Sequence, residues 1–151
     1  MNSKNSAEGN ILLVANWESN VGYAWWLMEN FWLIIANHFE KKGRQCFLMY
    51  PKITQLPATI ASSCIQVQEL DFADRSASNQ TRLHRFVQAN GIRHIYLSDY
   101  PTYSLFYGQL RIWGIKRIVV HDHTPGDRSL PSVGRCALKS IIQRLPWVTA
   151  D

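Results

Sequence analysis

Short apolar runs alternate with longer segments of helical period along this chain, and this alternation constrains the fold more than any other feature. Five runs are predicted to be strands, at 10–17, 45–50, 64–70, 92–97 and 116–121. Helix-period segments lie at 23–42, 75–90, 101–113 and 132–145, and the stretch 51–63 is predicted to be irregular. This pattern predicts an α/β fold, a Rossmann-like open parallel sheet with helices on both faces.

Glycines mark the ends of the predicted helices. Gly43, Gly91 and Gly114 each follow a helical segment and precede a strand, as expected of residues that close a helix in the left-handed conformation. Asn20 is able to cap the helix that follows the first strand. Alternating polar and apolar residues at 64–70 predict a strand at the edge of the sheet.

The size and charge of the chain limit its class and its partners. With 151 residues, 46% of them hydrophobic, the sequence suits one globular domain with its own core. The net charge of +5 favours an anionic partner such as a phosphate or an anionic membrane surface, and we predict no nucleic-acid partner. The basic excess lies late in the chain, at Arg111, Lys116, Arg117, Arg128, Arg135, Lys139 and Arg144.

Cysteine usage indicates a reducing compartment. The three cysteines include no C-x-x-C pair, which disfavours a disulfide framework or a structural zinc site. Cys46 and Cys64 lie in apolar runs, and we expect both to be buried as small hydrophobic side chains. Residues 1–9 are polar, are predicted to form a disordered tail, and contain no secretory signal. These features predict a cytoplasmic protein.

The segment from His121 to Arg128 is the strongest candidate site. His121, Asp122 and His123 follow an apolar strand directly, and Asp127 and Arg128 come shortly after. A metal site is disfavoured because an H-x-H-x-D-H pattern would need a carboxylate where Pro125 stands. The remaining interpretations are a structural histidine and a catalytic or substrate site, with Arg128 suited to a phosphate. The concentration of titratable groups favours the catalytic or substrate site.

Other candidates also follow strands. Asn20 and Gly22, after the first strand, could present N–H groups to an anion or a sugar, or could form a plain capped turn. Asp99, after the fourth strand, could cap the next helix or bind a hydroxyl-rich ligand, and capping is the simpler interpretation. The chain has neither a G-x-G-x-x-G nor a Walker-type glycine motif, so nicotinamide, flavin and P-loop sites are unsupported.

The helix predicted at 23–42 is rich in aromatic residues, among them Trp25, Trp26, Phe31 and Trp32. We favour a core helix packed against the sheet. The alternative is a peripheral contact with a membrane, in which tryptophans lie at headgroup level beside basic residues. The apolar run is too short and too interrupted to span a bilayer.

Three segments resemble retaining glycosyltransferases of the GT-B class, in glycosyltransferase family 4 or group 1. The first comprises the initial strand, the turn 20–22 and a long helix that ends in Lys-Lys-Gly43. The second, 118–122, is similar to the apolar strand followed by His-Asp in the acceptor-side domain of that family. The third, 145–151, resembles the family's lead-in to its next strand. Val21 stands where the family turn usually has a second glycine.

The resemblance implies that 10–151 is the N-terminal, acceptor-side domain of a two-domain enzyme, cut before the domain that binds the donor. His121 is implied as the catalytic residue, in contact with the donor sugar or its phosphate. The implied substrate-binding residues are Asn20, Gly22, Asp99, Asp122, His123, Asp127 and Arg128. The implied partners are a nucleotide-sugar donor, held by the absent domain, and a sugar or lipid acceptor, with no cofactor. We expect this chain alone not to transfer sugar.

Two further functions stay open on the sequence. A non-catalytic Rossmann-like binding module would carry the same strands with structural histidines. A metal-dependent hydrolase is the less favoured of the two, because the spacing of the His-Asp-His segment fails at its carboxylate.

Overall fold

The computed structural model describes residues 9–22, 25–122, 145 and 147–151. Its strands are β1 (Asn10–Val14), β2 (Cys46–Tyr50), β3 (Gln66–Glu69), β4 (Ile92–Ser98) and β5 (Arg117–His121). They form one sheet in the order β3-β2-β1-β4-β5, and every neighbouring pair is parallel. The chain therefore builds the sheet outward from β1 in one direction, then crosses over and builds it in the other.

Four helices connect the strands: α1 (Trp25–Glu40), α2 (Ala58–Ala61), α3 (Ala77–Ala89) and α4 (Leu105–Ile112). α1 and α2 pack on one face of the sheet, and α3 and α4 pack on the other. Right-handed crossovers place helices in this way when a parallel sheet grows first to one side and then to the other. The chain is a Rossmann-like α/β domain, as the sequence predicts.

The central strands are apolar along almost their whole length because both of their faces are covered. In β1, Leu12 contributes to the core under α3 and α4, whereas Leu13 contributes to the core under α1 and α2. β2 is buried at all five positions. Every residue of β3 is partly buried or exposed, and its position at the end of the sheet confirms the edge strand predicted from alternation.

Helix ends follow local chemistry. Gly43 and Gly91 have φ angles of 68° and 57°, which confirms that glycine closes α1 and α3 in the left-handed conformation. Ser76 caps α3 by accepting a hydrogen bond from the backbone N–H of Asn79. Ser104 caps α4 in the same way through Phe106.

Several predicted boundaries differ from the structure. β1 ends at Val14, although the N–H of Ala15 still donates to the Met49 carbonyl, at 3.0 Å. The stretch predicted to be irregular contains α2, a helix of four residues. β3 begins only at Gln66, so Cys64 lies before it and is exposed; the prediction that Cys64 is buried was wrong, whereas Cys46 is buried. The helix predicted at 132–145 and the tail at 1–9 lie outside the described residues, apart from one residue of each.

The last described residues lie beside β5. The backbone N–H of Asp151 donates to the Ile118 carbonyl at 2.8 Å, and the Asp151 carboxylate accepts from the Ile118 N–H at 2.7 Å. Arg111 forms a salt bridge with the same carboxylate at 3.2 Å. These contacts tie residues 149–151 to the outer edge of β5 and to α4.

Candidate functional site

The carboxyl ends of β1, β4 and β5 lie side by side at one edge of the sheet. The segment after β1 leads to α1 on one face, and the segment after β4 leads to α4 on the other. The point between β1 and β4 is thus the topological switch point of the sheet. In open α/β sheets, ligands bind in the crevice outside the carboxyl ends at such a point. The architecture therefore places a binding crevice here.

Asp99 joins the ends of the three strands through its backbone. Its N–H donates to the His121 carbonyl at 2.8 Å, and its carbonyl accepts from the Asn16 side-chain amide at 3.1 Å. Its φ of 59° is left-handed, a conformation that aspartate tolerates better than most residues. The prediction that Asp99 caps the next helix was wrong, because α4 starts later and Ser104 is its cap.

His121 is the last residue of β5 and lies half-buried at the same edge. Its Nδ1 is hydrogen-bonded to the Tyr96 hydroxyl, at 2.5 Å. The Phe31 ring of α1 meets the imidazole edge-on, with ring centroids 5.2 Å apart. Burial raises the pKa of Tyr96 to about 12, so the phenol keeps its proton at neutral pH. A strand, its neighbour and a helix thus fix the orientation of His121.

Asn20 and Gly22 lie in the loop between β1 and α1. The Asn20 side-chain amide donates to Gln55 Oε1 at 3.3 Å, across to the loop after β2. Residues 21 and 22 are not helical, so the prediction that Asn20 can cap the helix was wrong. Gly22 has a φ of 86°, a left-handed conformation suited to glycine. Residues 19–22, residues 55–58 and Glu29 line a cavity of about 300 Å³ at this end of the edge.

The structure brings together only part of the predicted site. Asp122 is exposed and follows His121 directly beyond β5. His123, Asp127 and Arg128 lie outside the described residues. Among the residues that are described, no group of three or more His, Cys, Asp or Glu side chains could hold a metal ion.

Sequence reasoning missed residues that the fold adds to the site. Tyr96 and Phe31 looked like ordinary core aromatics, and only the pairing of β4 with β5 and the packing of α1 bring them to His121. Asn16 carried a usable signal, since it also follows a buried strand and so was placed for the switch point. Glu29 and Gln55 could not be identified from the sequence, because each lies in a segment with no motif.

α1 leaves an apolar surface uncovered by the described residues. Its inner side is buried, with Trp32 fully enclosed. Its outer side exposes Trp26 by 60%, Leu27 by 48%, Phe31 by 38% and Ile34 by 65%. Leu27, Phe31 and Ile34 are spaced so that they share one side of the helix. We call these four residues the α1 apolar surface.

A group of positive charges lies at the amino edge of the same face. Burial, and then the positive charges of Arg44, Arg117 and Lys116, lower the pKa of His94. The His94 ring contacts Phe39 of α1, with centroids 5.8 Å apart, and the Arg44 guanidinium lies over Phe39 at 5.6 Å. We call Arg44, Lys116 and Arg117 the basic cluster. No helix in the described ranges is long and apolar enough to cross a membrane.

Comparison of the chain with protein-family models, with curated proteins and with solved structures finds no match.

Proposed function

We propose that this chain is the acceptor-binding half of a retaining glycosyltransferase, which transfers a sugar from a nucleotide-sugar donor to a glycan, lipid or small-molecule acceptor. The observation that carries the proposal is that hydrogen bonds link Asn16, Asp99 and His121 at the switch point of the sheet. Rossmann-like sheets bind ligands in the crevice at this point, and we assign the donor to a second domain that faces it. The resemblance of segments 20–22 and 118–122 to the GT-B class gives the reaction type.

The chemistry assigns a role to each part of this edge. Retaining transfer needs hydrogen-bond donors where negative charge develops on the departing nucleotide diphosphate, and it needs the acceptor hydroxyl held at the anomeric carbon. His121, fixed by Tyr96 and Phe31, contacts the donor sugar or its phosphate. Asp99 and Asp122 lie beside it and face the acceptor.

Three more residues complete the proposal from the sequence alone. His123, Asp127 and Arg128 follow Asp122 and are assigned to acceptor contacts, with the Arg128 guanidinium suited to a phosphate. The nucleotide-sugar is a substrate, so the proposal includes no cofactor.

The free thiols of Cys46 and Cys64 fit a reducing cytoplasm.

The experiment is a transfer assay on the complete gene product, with a panel of labelled nucleotide-sugars and lipid, glycan and small-molecule acceptors. Transfer with retention of anomeric configuration supports the proposal. Absence of transfer from every donor, by folded protein, contradicts it.

A second function is a non-catalytic binding module. The observation that favours it is the same bond between Tyr96 and His121, since a histidine held by a phenol and a phenyl ring is also what a structural role needs. The two functions separate in the transfer assay, because a binding module would retain ligand without turning it over.

The protein also associates with the surface of an anionic membrane under this proposal. The α1 apolar surface would enter the headgroup boundary, and the basic cluster on the same face would meet lipid phosphates. Such an arrangement suits an enzyme whose acceptor is a lipid.

A further inference from the structure

The cavity of about 300 Å³ between the β1–α1 and β2–α2 loops carries polar groups that the roles of His121 and Asp99 leave unused. It lies between the loops that follow β1 and β2, and in the sheet β2 is on the other side of β1 from β4 and β5. Its volume falls at the lower end of the range for small-molecule sites in proteins.

The walls of the cavity are held in place before any ligand arrives. The Ser19 hydroxyl oxygen accepts hydrogen bonds from the backbone N–H groups of Thr54, at 3.0 Å, and Gln55, at 3.2 Å. The Ser19 N–H donates to the Lys52 carbonyl at 3.1 Å. With Ser19 only 1% exposed, these bonds lock the two loops to each other. A preformed wall lowers the entropy lost on binding.

The polar groups on the walls are those that bind hydroxyls. The Glu29 carboxylate accepts a hydrogen bond from the Thr59 hydroxyl at 2.9 Å, and a carboxylate has capacity for several more. Asn20 and Gln55, joined at 3.3 Å, each offer amide donors and a carbonyl acceptor. Leu56 and Pro57 add apolar surface to the lining.

A buried hydroxyl close to Glu29 has no protein partner among the described residues. Tyr50 is 0% exposed, and its hydroxyl oxygen makes no hydrogen bond there. Burial, and then the negative charge of Glu29, raise the pKa of the Tyr50 phenol, so the hydroxyl keeps its proton. Buried hydroxyls in folded proteins almost always have a partner, and within the described residues this phenol is an uncharged polar group left unused beside Glu29.

The charge of the cavity selects against anions. None of its described lining residues is cationic, and Glu29 is acidic. A phosphate placed here would meet the Glu29 carboxylate without a compensating positive charge.

We infer that this cavity binds a neutral, hydroxyl-rich ligand of monosaccharide size and rejects phosphorylated sugars. The inference rests on the proposed function, in which this ligand is the sugar end of the acceptor. Glu29, Asn20 and Gln55 bind its hydroxyls.

The test is a titration of this 151-residue chain, followed by NMR, with the methyl glycosides of glucose, mannose and galactose and with glucose 6-phosphate. We expect at least one glycoside to bind with a Kd of about 1–10 mM, and glucose 6-phosphate to bind at least about tenfold more weakly. Glu29→Gln should weaken glycoside binding about tenfold and reduce the discrimination against glucose 6-phosphate. Glu40→Gln, which removes the same charge at the far end of α1, should change neither.

Three results would overturn the inference: saturation by none of the glycosides, equal or tighter binding of glucose 6-phosphate, or wild-type binding by Glu29→Gln. The outcome is separable from that of the transfer assay, because the titration contains no donor. If the complete gene product transfers sugar but no glycoside binds in the titration, the cavity is not a sugar site and the proposed transferase function stands. If a glycoside binds but no sugar is transferred, the cavity is a sugar site and the proposed transferase function is contradicted.

Discussion

The hydrogen bond between Tyr96 and His121 determines which imidazole nitrogen carries the proton in the neutral ring. Because burial raises the pKa of Tyr96 to about 12, the phenol is a donor at neutral pH. When it donates to Nδ1, the neutral ring carries its proton on Nε2 and can donate from there. A sugar oxygen or a phosphate oxygen accepts hydrogen bonds and therefore requires such an N–H donor.

Replacing His121 tests this role directly. We expect His121→Ala to lower the turnover of the complete gene product by about 10²-fold, the usual loss when one preorganised donor is removed. His84→Ala, on α3 at the other face of the sheet, should leave turnover unchanged. Wild-type turnover by folded His121→Ala would remove this residue from the reaction.

His94 should make stability depend on pH. Its folded pKa lies below the ordinary value of 6.5, so below that value the unfolded chain takes up a proton more readily than the folded one. Stability is therefore lost as pH falls through 6.5, and the loss levels off below the folded pKa. Urea unfolding from about pH 7.5 to about pH 5 should show a shallower fall for His94→Asn than for the wild type. Equal slopes would contradict this.

At the residue scale, the glycines that end helices could be predicted from the sequence, because their backbone conformation favours glycine. The residues that cap helices could not, because a cap depends on where the helix starts. Gly43 and Gly91 close helices as predicted, since few other residues adopt their φ angles without strain. Asn20 and Asp99 do not cap helices as predicted, because the two residues that follow each of them are not helical. Their actual bonds, to Gln55 and to His121, cross between loops that sequence alone cannot bring together.

At the scale of elements, the five strands and the longer described helices could be predicted because each has a distinct hydrophobic period. α2 could not, because Ala58–Ala61 is too short to show one. The order of strands also lies beyond the sequence, since it depends on which crossover each helix makes. The contact between Tyr96 and His121 follows from that order.

α1 offers a matched test of which side of a helix supports the fold. Trp32 is fully buried and its indole N–H donates to the Ser98 hydroxyl at 3.3 Å, whereas Trp26 is 60% exposed. We expect Trp32→Ala to lower the free energy of unfolding by about 3–5 kcal/mol, through the cavity it leaves. Trp26→Ala should change it by no more than about 0.5 kcal/mol. Urea unfolding of both variants measures the difference, and similar losses would place α1 in another orientation.

At the scale of the whole molecule, the two faces of the sheet differ in what they present to the surroundings. The face of α1 combines the α1 apolar surface with the basic cluster, and the net charge of the chain is +5. An anionic bilayer complements both features. Binding through them should weaken with salt, because the attraction between the charges is screened.

Vesicle co-sedimentation measures this binding. We expect the double variant Leu27→Glu, Ile34→Glu to bind phosphatidylglycerol-containing vesicles about tenfold more weakly, since it removes apolar contact and adds repulsion. Thr81→Glu, on exposed α3 at the other face, serves as the charge control and should lower binding much less. Wild-type binding equal to that with phosphatidylcholine alone would contradict membrane association.

The left-handed backbone at Asp99 also restricts which sequences this fold can explore at the switch point. With a φ of 59° and both backbone groups engaged, the position excludes β-branched side chains, whose Cβ substituents clash in that conformation. A library randomised at this codon and sorted for folded protein should return mainly Gly, Asn and Asp. Divergent relatives could then be recognised by such a residue between a strand ending in Ser and a Pro-containing turn, even where overall identity has faded.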